Sequence, residues 1–531
     1  MSSATLTFDQ DVWQPKYNPW LIAVVVALAA FMEVLDTSIA NVALPYMAGN
    51  LGASNDESTW VLTSYLVSNA IVLPISGWLA GTLGRKRFFM GCLVVFTLAS
   101  LLCGLAPSLG LLLFFRVLQG AGGGGLQPMA QAILADTFPP HQRGLAFALY
   151  GITAVTAPTI GPTLGGWITF NYSWRWIFFI NLPVGLATLF LVYQFVEDPP
   201  YLARLKSAGI KLDYIGIGLL ALGVGALQIM LDKGQEDDWF GSSFITTLAI
   251  TAAVCLLSLV VWEWFQKAPV VDVRLFKSFN FANANLMMFM LGIVLFSSLV
   301  MLPLFLQTLL GYTSQLAGLA LSAGGLMLLI EMPIIGQLTT KVQARYLIAF
   351  GWLCLAAAMY YSTRGIDLQI SFSAALWLRV AQVVGLGFLF VPISLAAYIG
   401  VAPEKNNAVA GIVNFMRNIG SSVGTSLVTT LLARRSQFHQ HILVNHARAD
   451  NTNFQQALNG LANYLTRAGL SPPAAQAKAL ATIYQQLQAQ ATSLSYIDTF
   501  KVLAVGAVIM IFLSFTLKKN DPGGGGAPRL E

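Results

Sequence analysis

The chain has 531 residues, of which 56% are hydrophobic and only 10% charged, with a formal net charge of +6. Ordinary soluble domains carry roughly 25% charged residues, so this balance excludes a soluble enzyme or binding module and points to a helical protein that crosses a membrane many times. The Lys and Arg residues gather in short loops between apolar runs, which is a topology signal rather than a ligand patch, and no nucleic-acid partner is expected.

Apolar segments of about 17 to 25 residues, the length of a bilayer crossing, follow one another along the chain. They start near Trp20, Thr59, Phe88, Leu109, Ala146 and Ile177, then near Tyr214 and Phe244, then near Phe281, Ala317, Tyr346, Phe372, Ala408 and Ile497, fourteen in all. The predicted architecture is an all-α membrane protein. A tail, 1–19, precedes a six-helix bundle over 20–196; a linker, 197–280, carries two inserted helices; a second six-helix bundle covers 281–517, and a tail, 518–531, ends the chain. The first apolar run ends in Asn41-Val42-Ala43-Leu44-Pro45 without a small-residue cleavage site, so a retained span rather than a removable signal peptide is expected. An even number of spans puts both ends on one side. Loops on that side hold Arg85, Lys86, Arg87, Arg143, Arg204, Lys206, Lys211, Lys267, Lys341 and Lys405, against Arg175, Lys233 and Arg364 on the other, so both ends are predicted to be cytoplasmic. Cys92, Cys103, Cys255 and Cys354 each stand alone in an apolar run, without metal-ligand spacing, and read as small buried residues.

The two bundles repeat each other. Arg116-Val117-Leu118-Gln119-Gly120 is echoed by Arg379-Val380-Ala381-Gln382-Val383, Pro128 by Pro392, Pro139 by Pro403, and Gly161-Pro162-Thr163-Leu164 by Gly424-Thr425-Ser426-Leu427. Charge inside a membrane is costly unless paired or hydrated, so an arginine at the same place in each half is a functional signal. Arg417, flanked by Asn414 and Asn418, is expected to face a polar cavity. Glu33 and Asp36 stand three apart on the first helix, hence on one face, and about 18 to 23 Å from its start near Leu21. Two carboxylates at that depth cannot easily both be charged, so at least one is expected to take up a proton near working pH, which is what a proton carrier needs. Glu331, deep in the tenth helix, is a third protonatable candidate. Each has a structural alternative, with the carboxylates as caps or pairing groups and Arg116 as a purely structural cation.

Residues 434–496 make one outer loop far longer than the rest. Phe454, Leu458, Leu461 and Leu465, then Leu480, Ile483, Leu487, Ala491 and Leu494, recur at helical spacing around a Ser471-Pro472-Pro473 turn, which predicts an external helical hairpin. It is either a cap on its own membrane domain or a docking surface for a partner. Glycines 523–526 read as flexible linker. Two enzyme-like patterns fail on context. Gly420-Ser421-Ser422-Val423-Gly424 has the spacing of a nucleophile elbow but lies within an apolar helix, and the glycines at 122–125 lack the Lys-Ser or Lys-Thr of a phosphate loop. With ATP unsupported and no cofactor indicated, the proton gradient is the expected energy source. Each charge crossing 100 mV releases about 2.3 kcal/mol, roughly a fifty-fold concentration ratio for a coupled solute.

Several motifs combine. Leu35-Asp36-Thr37-Ser38-Ile39-Ala40-Asn41 in the first helix, Gly77-Trp78-Leu79-Ala80-Gly81-Thr82-Leu83-Gly84-Arg85-Lys86-Arg87 after the second, Arg116 with Gln119-Gly120, and Gly161-Pro162-Thr163-Leu164-Gly165-Gly166 in the fifth closely resemble the signatures of fourteen-helix drug:proton antiporters of the major facilitator superfamily, particularly the EmrB-type multidrug exporters. The likeness runs over almost the whole chain, including the inserted pair that opens Leu212-Asp213-Tyr214-Ile215-Gly216. It implies a pump of the bacterial inner membrane that exchanges protons for lipophilic drugs, with a periplasmic adaptor and an outer-membrane channel as partners. It further implies that Asp36 and Arg116 exchange pairing as the site protonates. Asn41, Gln119, Asn414, Arg417 and Arg379 are the candidate polar residues for substrate. Gly77, Gly84, Arg85, Gly161, Pro162, Gly165 and Gly166 are structural motif positions, the fifth-helix glycines permitting close approach and the prolines bending the helix. Gly81 departs from the family, which usually carries there an aspartate that latches the cytoplasmic side, and Ala157 stands where the fifth-helix motif usually begins with glycine. Two other readings stay open: a transporter of one defined metabolite such as a siderophore or fatty acid, and a membrane receptor or docking scaffold, which would not need buried carboxylates.

Overall fold

A computed structural model of the chain describes residues 15–139, 141–199, 213–448 and 450–520. The first fourteen residues, the basic loop with Arg204, Lys206 and Lys211, and glycines 523–526 lie outside the described residues. The first bundle contains α1 (Pro19–Leu51), α2 (Asn55–Leu83), α3 (Arg85–Leu105), α4 (Leu109–Gly123), α5 (Leu126–Thr137), α6 (Arg143–Asn171), the short α7 (Trp176–Phe179) and α8 (Asn181–Phe195). The inserted pair is α9 (Tyr214–Lys233) and α10 (Ser243–Phe265). The second bundle contains α11 (Phe279–Thr308), α12 (Ser314–Leu338), α13 (Ala344–Gly365), α14 (Phe372–Ala397), α15 (Asn406–Val444) and α17 (Pro472–Ser514), with α16 (Thr452–Arg467) outside it. Among the described residues thirteen spans are long and apolar enough to cross a membrane, α4 with α5 and α7 with α8 each counting as one. The fourteenth predicted crossing is α15, a 39-residue helix richer in Asn, Ser and Arg that packs against α11, α17 and α2.

Local chemistry explains the turns and the close approaches. Gly52, at φ +67°, closes α1 in the left-handed region that side chains disfavour. Ser54 and Glu57 then open α2 with reciprocal bonds, Glu57 N to Ser54 Oγ at 3.1 Å and Ser54 N to Glu57 Oε2 at 2.8 Å. The glycine run divides the fourth span because neighbours press on it: a β-carbon on Gly122 would strike the Phe96 backbone in α3, and one on Gly124 the Asn69 carbonyl in α2. In α6, Pro162 has no N–H, so the Pro158 carbonyl loses its helical donor. Ser38 Oγ of α1 donates to that carbonyl at 3.0 Å, in space left by Gly161, while Gly165 admits Ile39.

The bundles meet along two seams, α6 against α12 and α2 against α15. Small residues set both: Gly144 lies beside Thr339, Gly325 beside Thr159, Gly77 against the Asn407 carbonyl and Gly411 against that of Leu73. The inserted helix α9 touches both α2 and α15, bonding Thr63 through Asp232 and Ser422 through Gln228 at 2.7 Å, so it straddles the second seam. Both described ends lie on one side, here termed the terminal side: Trp20 stacks edge-on with Phe138 at 4.9 Å, and Asn520 Oδ1 accepts from Ala344 N at 2.9 Å.

The outer hairpin differs from its prediction. Its second helix and the last span are one 43-residue helix, α17, because no glycine or proline interrupts the chain between Leu480 and Ile497. The first of these helices, α16, folds onto α17 with Leu458, Ala475 and Ala479 buried, while Leu480 of the predicted stripe is 51% exposed. At the base, Arg435 Nη2 and His439 Nε2 of α15 reach Asp498 Oδ2 of α17 at 2.6 and 2.8 Å.

Candidate functional site

α1 carries both first-helix carboxylates into the bundle, Glu33 and Asp36 each 3% exposed. Asp36 accepts from three donors: Arg116 Nη1 at 2.7 Å, Gln119 Nε2 at 2.9 Å and Asn181 Nδ2 at 2.6 Å. Arg116 is fixed in turn. Its Nε donates to the Val61 carbonyl at 3.0 Å, Nη1 also reaches Gln119 Oε1 at 2.8 Å, and its guanidinium carbon lies 4.3 Å from the centre of the Tyr65 ring. The second terminal nitrogen, Nη2, is buried with no partner among the described residues. A dry ion pair is costly unless further hydrogen bonds satisfy it; Gln119, Asn181 and Val61 supply them to Asp36 and to Arg116 Nε and Nη1, leaving Nη2 as the exception.

The three-residue spacing predicted that Glu33 and Asp36 would lie on one face as a carboxylate pair. They have separate partners instead. Three residues advance a helix by about 300°, leaving roughly 60° between the two side chains, enough to direct them into different crevices. Glu33 accepts from Tyr65 Oη at 3.1 Å, Asn69 Nδ2 at 3.0 Å and Gln127 Nε2 at 2.5 Å. Gly123 makes this cluster possible, since a β-carbon there would stand against Tyr65 Oη, Asn69 and Glu33 Cγ. Tyr65 is the shared wall, its ring on Arg116 and its hydroxyl on Glu33.

From Gln127 the network crosses to the second bundle. Gln127 Oε1 accepts from Arg417 and from Tyr150 Oη, and Asn414 Nδ2 donates to Gln131 Oε1 at 2.7 Å. Nearer the terminal side the motif loop supplies a second latch. Gly84 adopts φ +90°, Lys86 N donates to Asp198 Oδ1 at 2.7 Å, and buried Arg85 reaches Asp136 Oδ2 at 2.5 Å and Asn407 Oδ1 at 2.8 Å. Asn406 Nδ2 joins Asp136 Oδ1 at 2.6 Å. The β-carbon position of Gly81 faces open space, so Arg85 and Asp136, not position 81, carry charge to this latch.

The remaining candidates lie elsewhere. Arg379 is fully buried within the second bundle, donating to Ser298 Oγ at 3.0 Å, with Nε unpartnered among the described residues. Glu331 is buried against Gly387, and neither carboxyl oxygen has a hydrogen-bond partner among the described residues. Gln119 is wholly buried and faces Asp36, whereas Asn41 is exposed. Sequence reasoning missed Tyr65, Asn69, Gln127, Gln131, Tyr150 and Asn181. One signal was available: Gln127 and Gln131 stand four apart, hence on one helix face, directly after the glycine run.

The sequence profile of the Major Facilitator Superfamily matches residues 26–425. The multidrug export protein EmrB of Escherichia coli (strain K12) is 37% identical over 506 residues, covering 95% of this chain and 96% of that protein. The fatty acid resistance protein FarB of Neisseria gonorrhoeae is 37% identical over 501 residues, covering 94% and 96% respectively. Among solved structures, the proton:xylose symporter XylE superposes with a TM-score of 0.60 at 15% identity, covering 94% of this chain and 96% of that one, a likeness of fold.

Proposed function

This chain belongs to the major facilitator superfamily, in its EmrB-type branch, and we propose that it is a proton-coupled antiporter exporting lipophilic drugs or toxins across a bacterial inner membrane by alternating access. The observation that carries this reading is the fully buried Asp36–Arg116 pair inside the first bundle, joined through Tyr65 to a second buried carboxylate, Glu33, which Gln127 links to Arg417 of the second bundle. A carboxylate that exchanges an arginine partner for a proton changes charge inside the protein, and such a change is what can couple a proton to a conformational step. Both ends are assigned to the cytoplasm from the Lys and Arg excess on the terminal side. The seam closed by Gln127, Asn414 and Arg85 is then the cytoplasmic gate. The test is flux of a lipophilic dye in proteoliposomes: an imposed pH gradient should drive it against its concentration, and flux indifferent to the gradient would refute antiport. A second reading, export of one defined amphiphile, is favoured by the similarity to FarB; a resistance profile confined to fatty acids rather than spread over unrelated toxins would select it.

The hairpin α16–α17 is the proposed dock for a periplasmic adaptor that hands substrate to an outer-membrane channel. Its stems are tied at Asp498, below any cut at 450–490. Replacing residues 450–490 by a short Gly/Ser bridge should therefore spare flux in proteoliposomes while weakening adaptor pull-down and cellular resistance. Unchanged pull-down would make the hairpin a cap.

A further inference from the structure

The hydrogen bonds around Glu33 do not end in their own bundle. Gln127 stands at the start of α5, just past the glycine break, and its amide is double-ended: Nε2 donates to Glu33 Oε2 at 2.5 Å, while Oε1 accepts from Arg417 of α15 and from Tyr150 Oη at 3.1 Å. Its orientation is dictated by those neighbours, since a guanidinium can only donate and an ionised carboxylate can only accept. An anion of the first bundle and a cation of the second are thus joined through one neutral amide. The other groups around Glu33 are Tyr65 and Asn69 from α2, Tyr150 of α6 through Gln127, and on its own helix Asp36, already paired with Arg116 on the far side of the Tyr65 ring.

We propose that Gln127 is the positioning residue that ties the charge on Glu33 to closure of the terminal-side seam. With Glu33 ionised, the amide is held in register and the attraction for Arg417 keeps α15 against α5. A proton on Glu33 forms one O–H bond, cancels the negative charge and removes that attraction, so the seam is released. When the terminal side opens, the same O–H bond breaks and the proton passes to water there. The sign matches an exporter driven by inward protons: loading from the far side opens the terminal side. The proposal rests on the antiport reading above.

The experiment uses the full chain in nanodiscs with its four cysteines replaced and spin labels at Leu83 and Glu404, exposed positions at the terminal ends of the α2–α15 seam. Their separation is followed from mildly alkaline to mildly acidic pH. In the parent protein the separation should lengthen as pH falls. Gln127→Met, similar in length but unable to bridge, should flatten that response and raise the open-to-closed ratio at neutral pH about tenfold, the size expected for losing a bond to a charged group. Glu33→Gln should remove the response in the same way, guarding against a folding defect peculiar to the first variant. A Gln127→Met protein that opens over the parent's pH range would overturn the proposal while leaving antiport standing. A parent protein whose seam ignores pH, with dye flux equally indifferent to the gradient, would overturn both.

Discussion

The two halves build the same constellation with different charge. In the first, Arg116 meets Asp36, 80 residues upstream, and Gln119 one turn on. In the second, Arg379 meets Ser298, 81 residues upstream, and Gln382 one turn on. The duplicated scaffold therefore preserves the arginine, its glutamine and the place where the counter-ion stands, but only the first half keeps an acid there. The second half holds a buried cation at a serine and, on α12, a carboxyl with no donor among the described residues. Among the described residues the buried Asp36–Arg116 ion pair and the Glu33 cluster belong to the first bundle; the second contributes Arg417 and Asn414 to the seam. A symmetric fold does not require symmetric coupling.

The largest effect should come from removing the acid that distinguishes the halves. Asp36→Asn keeps the volume but turns its NH2 either toward Arg116 Nη1 or toward Gln119 and Asn181, donors in both cases, and leaves Arg116 without a counter-charge. Breaking a buried pair costs about 3–5 kcal/mol, so pH-driven efflux in proteoliposomes should fall at least about a hundredfold. Normal gradient-driven efflux would sink the assignment of Asp36. Arg116→Lys keeps the charge but cannot span Val61, Gln119 and Asp36 with one planar fork, and partial activity at most is expected.

A smaller effect should follow from giving the second half what it lacks. Ser298→Asp places a carboxylate beside Arg379 at the register of Asp36, and gradient-driven flux should change by no more than about threefold, since a pair formed there lies off the Glu33–Gln127–Arg417 path. The double variant Asp36→Asn with Ser298→Asp should stay uncoupled. Recovery of pH-driven flux in it would break the comparison, because the acid would then serve equally well in either bundle.

This asymmetry was only partly legible in the sequence. The repeat of Arg116 and Arg379 was readable because arginines are rare in apolar runs, and Asp36 because its motif and depth set it apart. Ser298 was not, since a serine in an apolar helix announces nothing until the chain is folded and an arginine points at it. The separation of Glu33 from Asp36 was missed for a similar reason: spacing gives the angle between two side chains on one helix, not which neighbouring crevice each enters. The boundaries of α15 and α17 were legible only where prolines and glycines mark them, so a helix passing from membrane into water without such a mark was divided in two.

The smallest effect sharpens the comparison through burial rather than position. Asp272, in the linker ahead of the second bundle, also faces cations, Lys405 Nζ at 2.7 Å and Arg274 Nε at 3.0 Å, but those partners are 48% and 35% exposed, against 0% for Arg116. Partial burial pushes the Asp272 carboxyl upward, yet hydrogen bonds and charge from Lys405 and Arg274 outweigh it and hold the group below its ordinary value of 3.8. A carboxylate lowered on folding stabilises the fold fully above the unfolded value and loses that contribution as pH falls through the lower folded value. Water screens such a pair, so Asp272→Asn should lower stability by about 1 kcal/mol or less at neutral pH, and the gap between variant and parent in thermal unfolding should close below about pH 4. High salt should narrow the same gap while leaving the penalty of Asp36→Asn unchanged, because ions reach the linker but not the Asp36–Arg116 pair. If salt erased both penalties alike, solvent would have access to the first-bundle pair, and the contrast between a dry arginine–acid pair in one half and an arginine–serine contact in its copy would fail.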